Sequence, residues 1–376
     1  MNGTSSPQFS KPSYVLGFLT ASLLLLVPLA FLGWRAGLKI RELPTLLHRT
    51  ALHQKAPVEK ISIPSGVLQD LIALDAVVDN ANNPTHAKKH DTILSQPDPD
   101  VQFTLRPNKH VDAWILKATD AFNFDPPVLY IEAGRQLTPR VQEFIKKNAR
   151  LSFTLSTDER GCRRTLPKVE APNKVLVAGS SVAFGSHVND DQTLPSQLQK
   201  LAGDRVQLIN AGVANYDGQL AFKSAEKISR DQKFAGLVFI ASGSNFLKKE
   251  REPVEELQDV MTKFASIADR FGGKITVAFH THIYYGMHDI FRDKGWSEEV
   301  LRKVAIVRTA MPEECRKHGF TFVDLEELDA DYQRQEGSFL APFALFSDHC
   351  HYSPLGNRLA AERVFKAMEN GSAAKQ

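Results

Sequence analysis

Five residues of this chain have the types and the order needed for nucleophilic catalysis on an acyl group: Ser181, Gly212, Asn245, Asp348 and His351. A carboxylate that orients a histidine, and a histidine that removes a proton from a serine, together make that serine a nucleophile. A glycine backbone N–H and an asparagine amide are suitable donors to a developing oxyanion. Taken singly, each of these residue types is also common in turns and helix caps.

The residues that must position these side chains form a repeating pattern from residue 174 onward. Short apolar runs, KVLVAG, VQLINAG, GLVFIASG, KITVAFH and FTFVDL, alternate with longer amphipathic stretches. Such alternation is typical of a parallel sheet that is covered by helices on both faces. Ser181 and Asn245 come just after the first and the third run, and Gly212 ends the second. Because sites in such sheets form at the carboxyl ends of strands, we expect these residues to meet at one edge.

This order of motifs resembles that of the SGNH (GDSL-type) hydrolase family, and especially of its bacterial membrane-anchored members. The resemblance covers about residues 174–370 and includes an Arg-Gly pair, Arg160-Gly161, ahead of the first run. It implies a three-layer α/β/α flavodoxin-like fold and a serine esterase that needs no cofactor and no metal. It implies that the catalytic residues are Ser181, Asp348 and His351, and that the oxyanion hole consists of the N–H groups of Ser181 and Gly212 with the side chain of Asn245.

Two positions depart from the family pattern. Ser180 stands where the family has the Asp of its Gly-Asp-Ser block, and Phe246 stands where an Asp often follows the Asn of the third block. Neither position supplies the nucleophile, the base or an oxyanion donor. The departures leave open how the nucleophile turn is braced, and hence how active the enzyme is.

The chain divides into five predicted segments. Residues 1–11 form a short tail, and residues 12–34 carry no charge and predict a transmembrane helix. Residues 35–100 predict a juxtamembrane linker, and residues 101–173 predict a small β-rich preface. Residues 174–376 predict the SGNH hydrolase domain.

The location of the domain follows from two opposing signals. Lys11 precedes the uncharged segment, and Arg35, Lys39 and Arg41 follow it. The positive-inside rule therefore weakly favours a cytoplasmic domain. Similar anchored family members face outside the inner membrane instead. On the resemblance we expect a single-pass membrane protein whose catalytic domain is extracytoplasmic, in the periplasm.

Composition excludes several classes of protein. Of the 376 residues, 43% are hydrophobic and 24% are charged, the balance of a folded globular protein rather than a disordered one. A net charge of +3, with no basic run interleaved with aromatic residues, argues against nucleic acid as a partner. Three widely spaced cysteines do not form a disulfide framework. The oligomeric state cannot be read from the sequence.

Weaker signals surround these motifs. His282 and Tyr284 follow the fourth apolar run and are candidates for substrate binding at the mouth of a cleft. His280, His282 and Cys350 are metal-ligand types, but their spacing fits no zinc template, so we expect no metal. Cys350 as the nucleophile is a minor alternative. His187 is interpreted as a surface-loop residue.

Three functions stay open at this stage. The first is a serine esterase that hydrolyses O-acyl bonds, for example O-acetyl groups, on a carbohydrate or a cell-envelope polymer. The second is an O-acyltransferase with the same triad, in which a sugar hydroxyl replaces water as the acceptor. The third, from another class, is a catalytically silent protein that binds glycan or scaffolds a membrane complex.

Overall fold

The alternating runs become strands and helices in the computed structural model, which describes residues 63–79, 92–116, 127–248, 250–280, 298–336, 344–348 and 350–373. All of them belong to the unit Pro57–Gln376. The strands are β1 (Val77–Asp79), β2 (Ser95–Asp98), β3 (Gln102–Leu105), β4 (His110–Leu116), β5 (Val128–Glu132), β6 (Ala149–Ser156), β7 (Lys174–Gly179), β8 (Gln207–Asn210), β9 (Gly236–Ser242), β10 (Ile275–His280) and β11 (Thr321–Asp324). The α-helices are α1 (Ser65–Ala73), α2 (Pro139–Asn148), α3 (Ser181–Phe184), α4 (Leu194–Ala202), α5 (Gly218–Ile228), α6 (Pro253–Ser266), α7 (Glu298–Lys317), α8 (Glu327–Glu336) and α9 (Pro354–Ala373).

The last five strands form one parallel sheet. Its order is β11-β10-β9-β7-β8, and every neighbouring pair is parallel. Counted from β7, this is the 2-1-3-4-5 order of flavodoxin-like folds. All seven residues of the central strand β9 are buried, as expected for a strand that is covered on both faces. The predicted α/β class with a parallel sheet is confirmed.

Helices pack on the two faces of this sheet and form three layers. On one face α5, α6 and α7 bury apolar side chains such as Phe264 and Met311. On the other face α4, α8 and α9 bury side chains such as Leu198 and Val364. Both clusters include residues of the sheet itself, so the core continues through the strands. This packing holds the strand ends, and the loops after them, in fixed positions.

Local capping sets where the helices near the loops begin. The hydroxyl of Thr193 accepts the N–H of Ser196 at the start of α4. The carboxylate of Asp217 accepts the N–H of Leu220 at 2.8 Å at the start of α5. Each cap satisfies a backbone N–H that has no partner within its helix. The loops that follow β7 and β8 therefore end at defined residues.

A second, antiparallel sheet precedes the parallel one. Its order is β1-β5-β4-β6, and β2 and β3 form a separate two-stranded sheet. α1 and α2 cover the four-stranded sheet with an apolar cluster that includes Leu71 and Phe144. This sheet starts at β1, within the segment 35–100 that the sequence predicts as a linker.

The small sheets also contact the loops at the carboxyl edge of the parallel sheet. Phe103 and Leu155 share an apolar cluster with Phe184, Val213 and Tyr216. The hydroxyl of Tyr216 donates to the carbonyl of Phe103 at 2.6 Å. The β-rich region therefore packs against the loops that follow β7 and β8, rather than extending away from the parallel sheet.

The predicted membrane location needs correction. The predicted transmembrane segment, residues 12–34, lies outside the described residues. Within the described residues, no helix combines the length and the apolar character needed to cross a bilayer. The longest helices there, α7 and α9, have 20 residues each but carry charged side chains along their length. The finding contradicts a single-pass periplasmic location.

Candidate active site

Ser181 lies at the point where β7 turns into α3. Gly179 ends the strand with φ +150°, and a Cβ on it would lie 2.4 Å from the carbonyl oxygen of Ile240, so only glycine fits there. The carbonyl of Ser181 accepts the N–H groups of Gly185 at 2.9 Å and Ser186 at 3.0 Å. Ser181 is half-buried at the first helical residue, where a backbone N–H has no partner within its helix.

Gly212, after β8, packs directly on the helix that begins with Ser181. A Cβ on Gly212 would lie 2.3 Å from the backbone nitrogen of Phe184 and 2.5 Å from the carbonyl carbon of Ala183. The N–H of Gly212 donates to Oδ1 of Asn210 at 3.0 Å. The predicted oxyanion donor is thus beside the Ser181 turn, and its N–H also has an acceptor within the protein.

Asn245, after β9, is held in a capping box. Its Oδ1 accepts the N–H of Ser242 at 2.7 Å, and its Nδ2 donates to the carbonyl of Tyr216 at 3.0 Å. An amide nitrogen carries two hydrogens, so one donor remains beyond the bond to Tyr216. The bond to Tyr216 joins the loop after β9 to the loop after β8, and the two bonds together fix the orientation of the amide.

Asp348 and His351 form a hydrogen-bonded pair. Nδ1 of His351 lies 2.6 Å from Oδ2 of Asp348. Oδ1 of Asp348 accepts the backbone N–H groups of Cys350 and of His351, each at 2.8 Å. The Asp348 side chain is 2% exposed and that of His351 is 15% exposed. Asp348 thus fixes both the backbone turn and the imidazole ring that follows it.

The pair shifts the protonation of both groups. Burial opposes the charge on His351, but the carboxylate of Asp348 and, after it, Cys350 raise its pKa well above the ordinary value of 6.5. Burial likewise opposes the charge on Asp348, but His351 and the nearby ring of His187 hold its pKa well below the ordinary 3.8. The site therefore favours imidazolium with carboxylate over the two neutral forms.

His187 is a member of this group that sequence reasoning missed. It is buried, contrary to the predicted surface loop. Its Nδ1 lies 3.1 Å from Oδ2 of Asp348, and its ring centre lies 4.8 Å from that of His351 in an edge-to-face arrangement. This contact does not have the geometry of a hydrogen bond, so it is weaker than that of His351. A histidine six positions after the candidate nucleophile was the available signal.

Arg163 is the second missed residue, and it holds the loop that carries His187. Its buried guanidinium donates to the carbonyls of Phe184 at 3.0 Å, Gly185, and Val188 at 2.6 Å. Its Nε pairs with Asp190 at 3.0 Å. Burial lowers the pKa of Arg163, and Asp190 opposes that change. The Arg160-Gly161 pair noted in the sequence lies two residues before Arg163, but it is Arg163 that contacts the His187 loop.

One loop links the two parts of the candidate triad. Ser186, whose N–H binds the carbonyl of Ser181, directly precedes His187. His187 in turn contacts both Asp348 and His351. The loop after β7 is therefore joined at one end to the nucleophile candidate and at the other to the Asp-His pair.

Other predicted residues fall in different places. His282 and Tyr284 lie outside the described residues. His280 is buried, with Nδ1 2.9 Å from the hydroxyl of Tyr352. Sγ of Cys350 lies 3.5 Å from Nδ1 of His351, so the thiol contacts the base.

The group also contains the types of atoms that bind metals. One ligand-type atom from each of His187, Asp348 and His351 lies within 4.8 Å of the others. In the structure, both imidazoles direct Nδ1 to the same carboxylate. The three groups thus pair with one another, and the expectation that no metal is needed stays a prediction.

The two family departures have distinct surroundings. Ser180 caps α3 through its backbone, and its side chain makes no capping hydrogen bond. Phe246 is fully buried in the core beneath α5 and α6. An apolar ring therefore occupies the position where a carboxylate is common in the family.

Comparison with known proteins gives matches at the level of structure. No protein family model and no curated protein matches the chain. The chain is similar to a member of the lipolytic protein G-D-S-L family from Veillonella parvula, at 13% identity and a TM-score of 0.39, over 52% of this chain and 97% of that one. It is similar to a variant of an acetyl xylan esterase from Geobacillus stearothermophilus, at 13% identity and a TM-score of 0.40, over 53% of this chain and 96% of that one. It is also similar to a psychrotrophic esterase from Pseudoalteromonas, at 11% identity and a TM-score of 0.41, over 54% of this chain and 99% of that one.

Proposed function

We propose that this chain is a serine esterase of the SGNH type that hydrolyses O-acyl esters. The observation that carries the proposal is the buried Asp348–His351 pair, with its 2.6 Å hydrogen bond, joined through one loop to the turn that presents Ser181. A carboxylate that binds Nδ1 of a histidine leaves Nε2 to accept a proton. This arrangement fits acyl transfer better than a purely binding role, because a buried ion pair is costly to maintain.

The proposed reaction proceeds in two halves. Neutral His351 takes the hydroxyl proton of Ser181 as Oγ attacks the ester carbonyl, and Asp348 stabilises the imidazolium that forms. The tetrahedral intermediate collapses, and His351 gives its proton to the departing alcohol. Water then attacks the acyl-serine with His351 again as base, which releases the carboxylic acid and restores Ser181.

Three donors would stabilise the oxyanion. They are the N–H of Ser181, the N–H of Gly212 and the second amide hydrogen of Asn245. In this proposal the N–H of Gly212 is shared between Asn210 and the substrate oxygen, since its 3.0 Å bond is already present. One such donor is typically worth about 10²–10³ in kcat.

The alcohol part of the substrate is less defined by the site. The sequence resemblance favours O-acyl groups, such as O-acetyl, on a carbohydrate or a cell-envelope polymer. His282 and Tyr284 remain candidates for contacts with that part. An O-acyltransferase differs only in the acceptor, because a sugar hydroxyl then attacks the acyl-serine in place of water.

The proposal is tested by replacing the nucleophile. The full chain with Ser181→Ala is expected to lose hydrolysis of p-nitrophenyl acetate and labelling by an organophosphonate, read by mass spectrometry. Ser180→Ala is the matched control, because its side chain makes no capping hydrogen bond. Equal hydrolysis by the wild type and Ser181→Ala rules the assignment out. Absence of labelling in the folded wild type favours the silent binding protein.

Product analysis separates the two enzymes. A hydrolase releases free acid at the same rate with or without an added sugar acceptor. A transferase yields acylated sugar at the expense of free acid.

A further inference from the structure

We propose that His187 is a positioning residue for the Asp-His pair, and that it shares the Asp348 carboxylate with His351. The inference deepens the proposed esterase function and rests on it for its catalytic consequence. The geometry that supports it is a single carboxylate oxygen, Oδ2 of Asp348, 2.6 Å from Nδ1 of His351 and 3.1 Å from Nδ1 of His187. A carboxylate only accepts hydrogen bonds, so both ring nitrogens act as donors when they bind it.

Asp348 is closely surrounded by polar N–H groups. Oδ1 receives two backbone N–H groups, Oδ2 binds Nδ1 of His351, and Nδ1 of His187 lies 3.1 Å from the same oxygen. A buried carboxylate is unfavourable unless such partners compensate for lost water. His187 thus helps Asp348 stay ionised, and it blocks rotation of the carboxylate away from His351.

The backbone around His187 is built to hold this position. His187 has φ +69°, a left-handed conformation that is uncommon for a residue other than glycine. The guanidinium of Arg163 binds the carbonyls of Phe184, Gly185 and Val188, on both sides of the strained residue. Strained residues of this kind persist where the surrounding structure over-determines them, and they cluster at functional sites.

The charged neighbours of His187 come from three parts of the chain. Asp348 and His351 face it from the loop before α9, and Cys350 contacts His351. Arg163 and Asp190 lie on the other side of its backbone and neutralise each other in a 3.0 Å ion pair. Phe153 of β6 packs on the His187 ring, with ring centres 6.1 Å apart. Asp348 is therefore the partner through which His187 can affect His351.

The consequence has a definite sign. A donor on Oδ2 withdraws negative charge from the carboxylate, and it competes with His351 for the same oxygen. Without His187, Asp348 holds the His351 proton more strongly, so the pKa of His351 rises further. The acid limb of the kcat/KM profile then moves to higher pH, and the carboxylate gains freedom to turn away from the base.

Two variants separate the effect of the His187 ring N–H on Asp348 from effects of the backbone at position 187. His187→Gly removes the ring, and His187→Asn places an amide near the position of Nδ1. Both Gly and Asn tolerate the left-handed backbone, so strain is not added in either. We expect His187→Gly to lower kcat about five- to tenfold with KM unchanged, on the scale of one hydrogen bond. We expect His187→Asn to recover most of that loss.

A second readout does not depend on ester hydrolysis. Histidine-selective NMR of the full chain follows the titration of the His351 ring in the wild type and both variants. An upward shift in His187→Gly, reversed in His187→Asn, supports the proposal even if Ser181→Ala were to leave hydrolysis unchanged. An unchanged His351 titration, or equal losses in both variants, overturns it and assigns His187 a packing role. A folded state is checked by circular dichroism.

Discussion

The two halves of the candidate site are held by different forces. Ser181, Gly212 and Asn245 follow strands of the parallel sheet, and backbone packing fixes them: a Cβ on Gly212 would overlap the helix that begins with Ser181. Asp348 and His351 lie just before α9, and a buried ion pair fixes them, with two backbone N–H groups on Oδ1 and Nδ1 of His187 3.1 Å from Oδ2. Strand ends are set by topology, whereas the Asp-His pair is set by electrostatics. The first half should tolerate changes of charge, and the second should depend on them.

The sharpest test of the electrostatic half is Asp348→Asn. The amide keeps the shape of the carboxylate but no longer stabilises the imidazolium or its tautomer. We expect kcat to fall roughly 10⁴-fold, measured with p-nitrophenyl acetate on the full chain. Asp191→Asn, in an exposed position before α4, is the control and should keep full activity. A loss below about tenfold would show that Asp348 does not serve the base.

The link between the halves is tested by Arg163→Met. The change leaves Asp190 buried without its cation and three carbonyls of the His187 loop without their donor. We expect a loss of about 3–5 kcal/mol in the free energy of unfolding, measured by urea titration. Arg164→Met, at the exposed neighbouring residue, should cost no more than about 0.5 kcal/mol. Similar losses of unfolding free energy in the two variants would contradict the role of Arg163 in holding the His187 loop.

The strand-end half is tested by Asn245→Ala. The change removes the amide donor, and we expect kcat to fall about 10²–10³-fold with KM nearly unchanged. Asn148→Ala, at the end of α2, removes a comparable amide hydrogen bond to the carbonyl of Phe144 and should leave kcat as it was. If kcat of Asn245→Ala equals that of the wild type, the amide serves only to join the loops after β8 and β9.

The smallest expected effect is a shift of pH dependence. His351 acts as base only when neutral, and its pKa is raised well above 6.5, so kcat/KM should still be rising above neutral pH. Cys350 contributes to that raised pKa, so Cys350→Ala should move the acid limb to lower pH. Cys315→Ala, a buried thiol in the apolar core, should leave the limb in place. An acid limb at an ordinary histidine pKa in the wild type would contradict the pair's electrostatics.

The same pair makes stability depend on pH in a defined window. A raised His351 pKa stabilises the fold below 6.5, and this contribution is lost as pH rises through the folded pKa. A lowered Asp348 pKa stabilises the fold above 3.8, and this is lost as pH falls through the folded pKa. The contribution of the pair is therefore largest between these two ordinary values.

Much of the fold could be predicted from local patterns. The apolar runs become β7 to β11 because strands buried on both faces must be apolar throughout. Ser181, Gly212 and Asn245 were locatable because each lies at or just after the end of such a run. The location in a membrane was not predicted correctly: within the described residues, the long helices are charged along their length and pack on the sheet.

His187 and Arg163 could not be assigned in the same way. Its position six residues after Ser181 does not by itself distinguish His187 from a surface histidine, since its burial comes from Phe153, Asp348 and His351, all distant in sequence. From its residue type alone, Arg163 is expected on the surface, because an arginine is rarely fully buried unless it is paired. Its partner Asp190 and its three carbonyl acceptors come from the loop after β7.

The sequence by itself determined the α/β class, the parallel sheet and the identity of the residues at the strand ends, because periodicity and chain order are properties of neighbouring residues. Only the tertiary structure decided that a second histidine shares the Asp348 carboxylate and that a buried arginine holds it there. Burial and hydrogen-bond partners depend on segments that meet only after folding, and these contacts set the charge of the site.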